Sequence, residues 1–359
     1  MWLALTLARF FPEMKIHFLG ALSDLWMSGW QRFQTLRQLG QEVLPMCQST
    51  HLAQAMPSRW QRLLGAHSFN EAALLNFNRE WLRTLVTQQP NVAWLEWPKL
   101  LLRETIEEGR SHVPHCRFIA FYDDNPFGTR AEERWQWELF FEAIPEFDLC
   151  LVKRPSDIDE LRHCGAKRAE LFMHGCFTPL FQPLSHQTQF AHEVSFVGTA
   201  LDHRVPFVER LIARERIPLR VFGHRWERTC LYHLRRAHFR PAVLGEDYAE
   251  VLRSSRLNLG FVSSSNHDEY TMRTFEIPAC RSFLLAERTP THQALFEEGR
   301  EAEFFSSVEE CADKARHYLR NESGRARIAE AGYRRCIEAD YSLKRRLHDA
   351  LAQIETLAT

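Results

Sequence analysis

The feature that most constrains this chain is a recurring apolar run of strand length that ends in glycine and feeds a helix. MKIHFLG, from Met14 to Gly20, is the first such run. It is followed by the loop ALSDLWMSG, a helical stretch from Trp30 to Leu39 closed by Gly40, and the apolar segment QEVLPM. Strand, glycine loop, helix and strand within roughly thirty residues make a βαβ unit, which demands parallel strands. Further strands are expected at NVAWLEW, CRFIAFY, FDLCLVKRP and AELFMHG, with a helix over Trp60 to Thr87. The pattern then starts again. HEVSFVGT ends in Gly198 and Thr199, a helix follows from Val205 to Arg214, and PLRVFGHRW and RLNLGFVSS are further buried strands. Two such series in 359 residues predict an α/β chain with two doubly wound, Rossmann-like parallel sheets.

The expected boundaries are 14–178, a proline-bearing linker at 179–191, 192–340, and a last helix within 341–357 that packs back on the first domain. THQALFEEG is predicted to be a helix stopped by Gly299, and SVEECADKARHYLRN a helix with Ser307 and Glu310 as a capping box. Ligand is expected in a cleft beyond the carboxyl ends of the strands, between the domains.

Composition removes several function classes. The formal net charge is −1, so no whole-chain field recruits nucleic acid, and anions must be held by local basic groups. The basic runs RRAHFR and LKRRL read as solvated faces. Nine cysteines without paired spacing read as reduced thiols of a cytoplasmic protein. Cys230 and His233 have a ligand-like gap but no second pair, so zinc is not expected and the metal assignment is none. The opening MWLALTLARFF is too short to span a bilayer and is broken by Arg9. It reads as an extension or a start ahead of Met14, with peripheral membrane contact as the alternative. No G-x-G-x-x-G follows the first strand, so the dinucleotide fingerprint is absent.

The stretch DEYTMRTFEIPAC carries the densest chemistry. Asp268 and Glu276 are separated by seven residues, which suits a loop acid followed by an acid on a helix. Thr271 is the expected N-cap, and a helix N-terminus suits phosphate. Arg273 is either a phosphate ligand or an i,i+3 partner of Glu276, two readings that are compatible. Asp123 and Asp124 follow the strand ending at Tyr122, a position that suits either ligand contact or an ordinary Asp-rich turn. Trp226 is either near a base or part of the core.

The segment from Val194 to Leu351 resembles the C-terminal domain of group 1 glycosyltransferases of the GT-B fold, in particular the spore-maturation-protein CgeB-like branch. The residues that carry this are SFVGT with Arg204, VFGHRW, YTMRTFEIPAC, FLLAERTPTHQALFEEGREAEFFSSVEE and ARIAEAGYRRCIEADYSLKRRL. The first half is similar more loosely, through MKIHFLG, the YDD turn and AELFMHGCFTPLFQP. The resemblance implies a GT-B type protein whose two doubly wound domains face a cleft. It implies transfer of a sugar, of the hexosyl kind, from a nucleotide-sugar to a glycan, protein or lipid-linked acceptor, with retention favoured. Glu276 would hold the ribose and Asp268 the transferred sugar. Arg273, Thr271, Gly198, Thr199 and Arg204 would serve the diphosphate. Gly20 would lie on the acceptor side, with Asp123 or Asp124 receiving the acceptor proton. No cofactor or metal is implied, since the nucleotide-sugar is itself a substrate. Alternatives are a nucleotide-sugar epimerase or hydrolase of the same fold, and a non-catalytic sugar- or partner-binding protein. Two positions depart from the pattern: Arg281 stands where relatives carry glycine, and Phe177 where many carry aspartate.

Overall fold

In a computed structural model the chain forms two compact units, the first comprising residues up to Met173 with Arg346 onward, the second His174 to Arg345. The structure describes residues 12–24, 26–58, 60–61, 65–184 and 189–357, with backbone alone at 131 and 132. The opening MWLALTLARFF therefore lies outside the described residues, as does part of the expected linker.

The first unit is built on six strands: β1 (Lys15–Gly20), β2 (Glu42–Cys47), β3 (Val92–Glu96), β4 (Arg117–Tyr122), β5 (Leu149–Val152) and β6 (Ala169–Leu171). They pair in the order β2-β1-β3-β4-β5-β6, all parallel. β2 lies on one side of β1 and β3 on the other, so the connections that leave β1 and β3 run in opposite directions along the sheet. Every residue of β3 is buried, as expected of a parallel strand covered on both faces. The helix Glu71–Gln88 supplies one cover: Phe77, Trp81 and Leu85 recur every four residues and are fully buried. Its start differs from the expected Trp60. Residues 65–70 are not helical, and Asn70 caps the helix by accepting from the Ala73 N–H at 3.0 Å.

The second unit repeats the plan with β7 (His192–Val197), β8 (Leu219–Phe222), β9 (Phe239–Arg240), β10 (Ser255–Gly260), β11 (Leu284–Glu287) and β12 (Glu303–Phe305). Their order is β12-β11-β10-β7-β8-β9, again all parallel. Here the reversal falls between β7 and β10. Two doubly wound parallel sheets are thus present as the sequence predicts.

Local signals were obeyed with two amendments. The helix after β11 stops at Leu295, and Gly299 (φ +78°) serves a separate turn beyond it. Ser307 caps the next helix through the Glu310 N–H, but Glu310 answers the Ser306 N–H and not that of Ser307. Arg281 adopts φ +55°, so the glycine-like turn is kept without glycine. Its guanidinium pairs with Glu330 at 3.1 Å and lies over the Tyr333 ring, which offsets the backbone strain.

Candidate functional site

Ligands of open α/β sheets collect where the strand order reverses, outside the carboxyl ends. In the second unit that place is walled by the loops after β7 and β10. Gly198 directly follows β7, and a Cβ on it would lie 2.6 Å from the Phe196 ring. Gly223, after β8, is tighter still, since its Cβ would sit 2.0 Å from the Gly198 carbonyl oxygen. The Trp226 indole donates to that same oxygen at 2.8 Å. Trp226 is buried between Phe196 and Phe239, so it belongs to the core and fastens the turn. Thr199 follows Gly198 in the bend.

The loop after β7 is laced to the loop after β10. Asp202, held at φ +53°, accepts from the Ser263 hydroxyl at 2.7 Å and the Ser265 hydroxyl at 3.0 Å. His203 joins Ser264 through Nδ1 and Glu287 through Nε2. The other Glu287 oxygen accepts the Val262 N–H at 2.7 Å. Arg204 is buried, and its Nε donates to the Val262 carbonyl at 3.2 Å. Burial and the Arg273 charge lower its pKa to about 10, opposed by Asp202, Glu287 and Asp268, so it stays charged at neutral pH. Among the described residues neither Arg204 nor Arg273 forms a salt bridge, and the Arg273 Nε is buried without an acceptor. Two guanidiniums thus lie within electrostatic reach of each other, with the charges of Asp202, Glu287 and Asp268 reaching Arg204 and that of Glu276 coupled to Arg273.

Glu276 is buried on the helix Arg273–Ala279 and receives the Tyr248 hydroxyl at 2.7 Å. Burial pushes its pKa up to about 7, with Tyr248 and Arg273 pulling the other way. The expected cap at Thr271 is not formed. The relationship is reversed, because the Thr271 N–H donates to the Thr274 hydroxyl at 3.1 Å. The helix start is also not an open row of donors, since the N–H groups of Thr274, Phe275 and Glu276 bond the carbonyls of Thr271 and Met272. Side chains, above all Arg273 and Arg204, therefore carry the positive charge here. Asp268 is nearly buried in the β10 loop, with its N–H on the Ser263 carbonyl, and its charge reaches Arg204. The structure thus brings Gly198, Thr199, Arg204, Asp268, Arg273 and Glu276 to one end of the second sheet.

Gly20, Asp123 and Asp124 belong to the first unit and gather at its own reversal. A Cβ on Gly20 would lie 3.2 Å from Oε2 of Glu96, the last residue of β3. Glu96 forms a two-point ion pair with Arg32, wholly buried, and Arg32 also stacks on Phe121. Burial pushes the Glu96 carboxyl upward, while Arg32 opposes it. The charge of Asp123 reaches both members of this pair. Lys99 sits over the Trp137 ring, in reach of Asp124 and Asp123, and burial lowers its pKa. The Asp123 carbonyl accepts from Arg154 at 2.8 Å. Among the described residues no three His, Cys, Asp or Glu side chains are grouped to hold a metal, and no helix is long and apolar enough to cross a membrane.

Tyr248, Asp202, His203, Glu287, Arg32, Glu96 and Lys99 were not singled out from the sequence. The single signal available was the serine run at 263–265, a loop able to bond a neighbouring acid.

These features define a two-unit α/β protein of the GT-B fold class. Residues 204–352 match the family model described as glycosyl transferase-like. A sucrose-phosphate synthase from Thermosynechococcus elongatus has the same fold, with TM-score 0.69 and 12% identity over 96% of this chain and 99% of that one. HepE of Anabaena in complex with UDP-glucose gives TM-score 0.59 and 10% identity over 96% of this chain and 100% of that one. A glycosyltransferase from Rickettsia africae gives TM-score 0.62 and 9% identity over 97% and 99%. Such identities establish fold alone, and with the family match they support a GT-B glycosyltransferase. No curated protein matches the chain by sequence.

Proposed function

We propose that the protein moves a hexosyl group from a nucleotide-sugar to an acceptor hydroxyl, as a member of the CgeB-like branch. The observation that carries this is the gathering of Arg204, Arg273 and Glu276 at the reversal of the second sheet, inside the segment that matches the glycosyl transferase-like family. HepE binds UDP-glucose on the same fold, which supports a nucleoside-diphosphate donor.

In this reading the Glu276 carboxylate accepts two ribose hydroxyls, with Tyr248 holding its orientation. Arg204 and Arg273 flank the diphosphate, and Gly198 and Thr199 let backbone come close to it. The bond between the anomeric carbon and the diphosphate oxygen breaks, and the leaving oxygen keeps the electron pair. The two guanidiniums stabilise that growing charge, which is electrostatic catalysis without a metal. Asp268 contacts the transferred sugar. The acceptor oxygen bonds the anomeric carbon, and its proton passes to Asp123 or Asp124 beside Gly20. Retention of configuration, a cytoplasmic location with peripheral membrane contact, and a glycan, protein or lipid-linked acceptor complete the proposal.

Titration calorimetry with several nucleotide-sugars on wild type, Arg273→Ala and Glu276→Gln tests the donor half. One donor should bind wild type and lose at least about tenfold affinity in each variant, the scale of a charge-assisted hydrogen bond. Unchanged affinity in Glu276→Gln would remove that residue from the donor site. A second reading, epimerase or hydrolase, draws on a putative UDP-N-acetylglucosamine 2-epimerase from Listeria monocytogenes with TM-score 0.55. Free nucleotide released without any acceptor would favour it.

A further inference from the structure

The second unit has another concavity, remote from the glycine loops. It opens where β10 begins, at Ser255, and just before β11, at Phe283. The short helix that starts at Arg273 separates the two places, since the residues after its end, Cys280 to Ser282, line this pocket. The pocket holds about 590 Å³, the size of a small-molecule site. Four arginines line it, Arg253, Arg256, Arg281 and Arg325, against Glu322 and Glu330.

These charges are not arranged as ordinary surface pairs. The Arg253 and Arg325 side chains are 3% and 4% exposed, whereas the carboxylates that reach them, Glu246 and Glu322, are 65% and 75% exposed. The acids stand in water, where their field is screened, and the guanidiniums face the low-dielectric interior. Glu322 also stays 3.9 Å from Arg325. Glu330 is shared between Arg281 and Arg334. Arg256 and Arg325 both lie over the Phe190 ring, each 5.4 Å from its centre. They are close enough for the Arg256 charge, after burial, to lower the pKa of Arg325. The buried Nε atoms of Arg253 and Arg256 have no hydrogen-bond acceptor, and the carboxylates that pair with them, the half-exposed Glu250 and Glu193, stay 3.6 and 3.5 Å away. A purely structural arginine cluster fills its donors with buried carbonyls or acids, because each empty one costs free energy. Here Arg256 and Arg325 are held together, and Arg253 and Arg256 each keep an unfilled Nε donor, although Arg253 also donates to the Leu180 and Gln182 carbonyls and Arg325 to that of Tyr318.

We propose that this pocket binds a small phosphorylated anion, its phosphoryl group bridging Arg256 and Arg325 over Phe190. Two guanidinium forks suit a dianion with three free oxygens better than a single carboxylate. The site is separate from the donor loops and does not depend on what those loops bind.

The test uses pyrophosphate as the probe, titrated into the full chain by calorimetry at low salt. Arg273→Ala weakens the donor loops, where Arg204 remains, and Arg256→Gln in that background removes the pocket, so the difference between the two proteins reads the pocket alone. Pyrophosphate should bind the Arg273→Ala protein, with affinity falling as salt rises, and the added Arg256→Gln should weaken it by about tenfold or more. Equal affinity with and without Arg256→Gln overturns the proposal, as does absence of binding to Arg273→Ala. Phenylglyoxal modification of the wild-type chain gives a reading that needs no variant. Inorganic phosphate should protect the partly exposed Arg256 from modification, and unprotected labelling also overturns the proposal.

Discussion

The Tyr248 hydroxyl and the Glu276 carboxylate form a 2.7 Å hydrogen bond inside the second unit, where Glu276 is buried and Tyr248 half-buried. This bond is one of two effects that keep an otherwise desolvated acid partly ionised, the other being the Arg273 charge. The folded pKa of about 7 lies above the ordinary 4.5, so folding favours the protonated acid. Stability from this group is therefore complete below pH 4.5 and is lost as pH rises through about 7. Relative to wild type, Glu276→Gln should gain stability between pH 5 and pH 8, on the order of 3 kcal/mol. Urea unfolding at the two pH values reads this, and parallel curves for the two proteins would contradict it. Donor binding should move the other way, strengthening as pH passes 7 because ribose hydroxyls need the ionised form.

The Arg32–Glu96 pair supports the glycine turns of the first unit. Glu96 Oε2 would lie 3.2 Å from a Cβ at Gly20 and 2.7 Å from one at Gly29. Removing one partner leaves a charge buried without its counterion, which costs roughly 3–5 kcal/mol. Glu96→Ala and Arg32→Ala should each unfold at lower urea by that amount. The double variant should cost clearly less than the two single costs combined, the sign of a coupled pair.

Much of the architecture was readable because its determinants are local. Buried parallel strands are apolar throughout, and glycines such as Gly20 and Gly198 stand at or just past their ends, where a Cβ would strike the rings of Phe18 and Phe196. The chemistry was readable only where a local motif held it, as with Arg273 and Glu276. What completes those residues comes from afar: Tyr248 is 28 positions from Glu276, Glu96 is 64 from Arg32, and Glu287 is 84 from His203. No periodicity encodes such meetings, because the sheet order brings them together. The Thr271 cap failed for a different reason. In so tight a turn the Thr274 hydroxyl reaches the Thr271 N–H first, then bonds His292 at 2.8 Å.

Gly223 and Trp226 converge on one carbonyl oxygen, that of Gly198. Trp226→Phe keeps a six-membered ring in the core but loses the indole donor and the volume of its second ring, a cost of about 2 kcal/mol. Gly223→Ala drives a methyl against backbone that cannot rotate away, and should cost about 3 kcal/mol or more. Thermal unfolding should rank the two in that order. If Gly223→Ala is as stable as wild type, the two turns are not in contact as described.

His203 supplies a second pH-sensitive link, between the loops that bear Arg204 and Ser264. The Glu287 hydrogen bond raises its pKa, with burial opposing, and the neighbouring charges are Arg204 and Asp202. A base raised above its unfolded value of 6.5 gives stability that is complete below that pH and fades as pH climbs through the folded value. His203→Gln should therefore lose stability relative to wild type at pH 6 and much less at pH 9. The same variant should weaken donor binding most at the acid end, where protonated His203 ties Glu287, and through it the Val262 backbone, to Arg204. Chemical denaturation and donor titration on one pair of proteins would read both effects. A stability difference that does not shrink from pH 6 to pH 9 would mean the imidazole acts by packing alone.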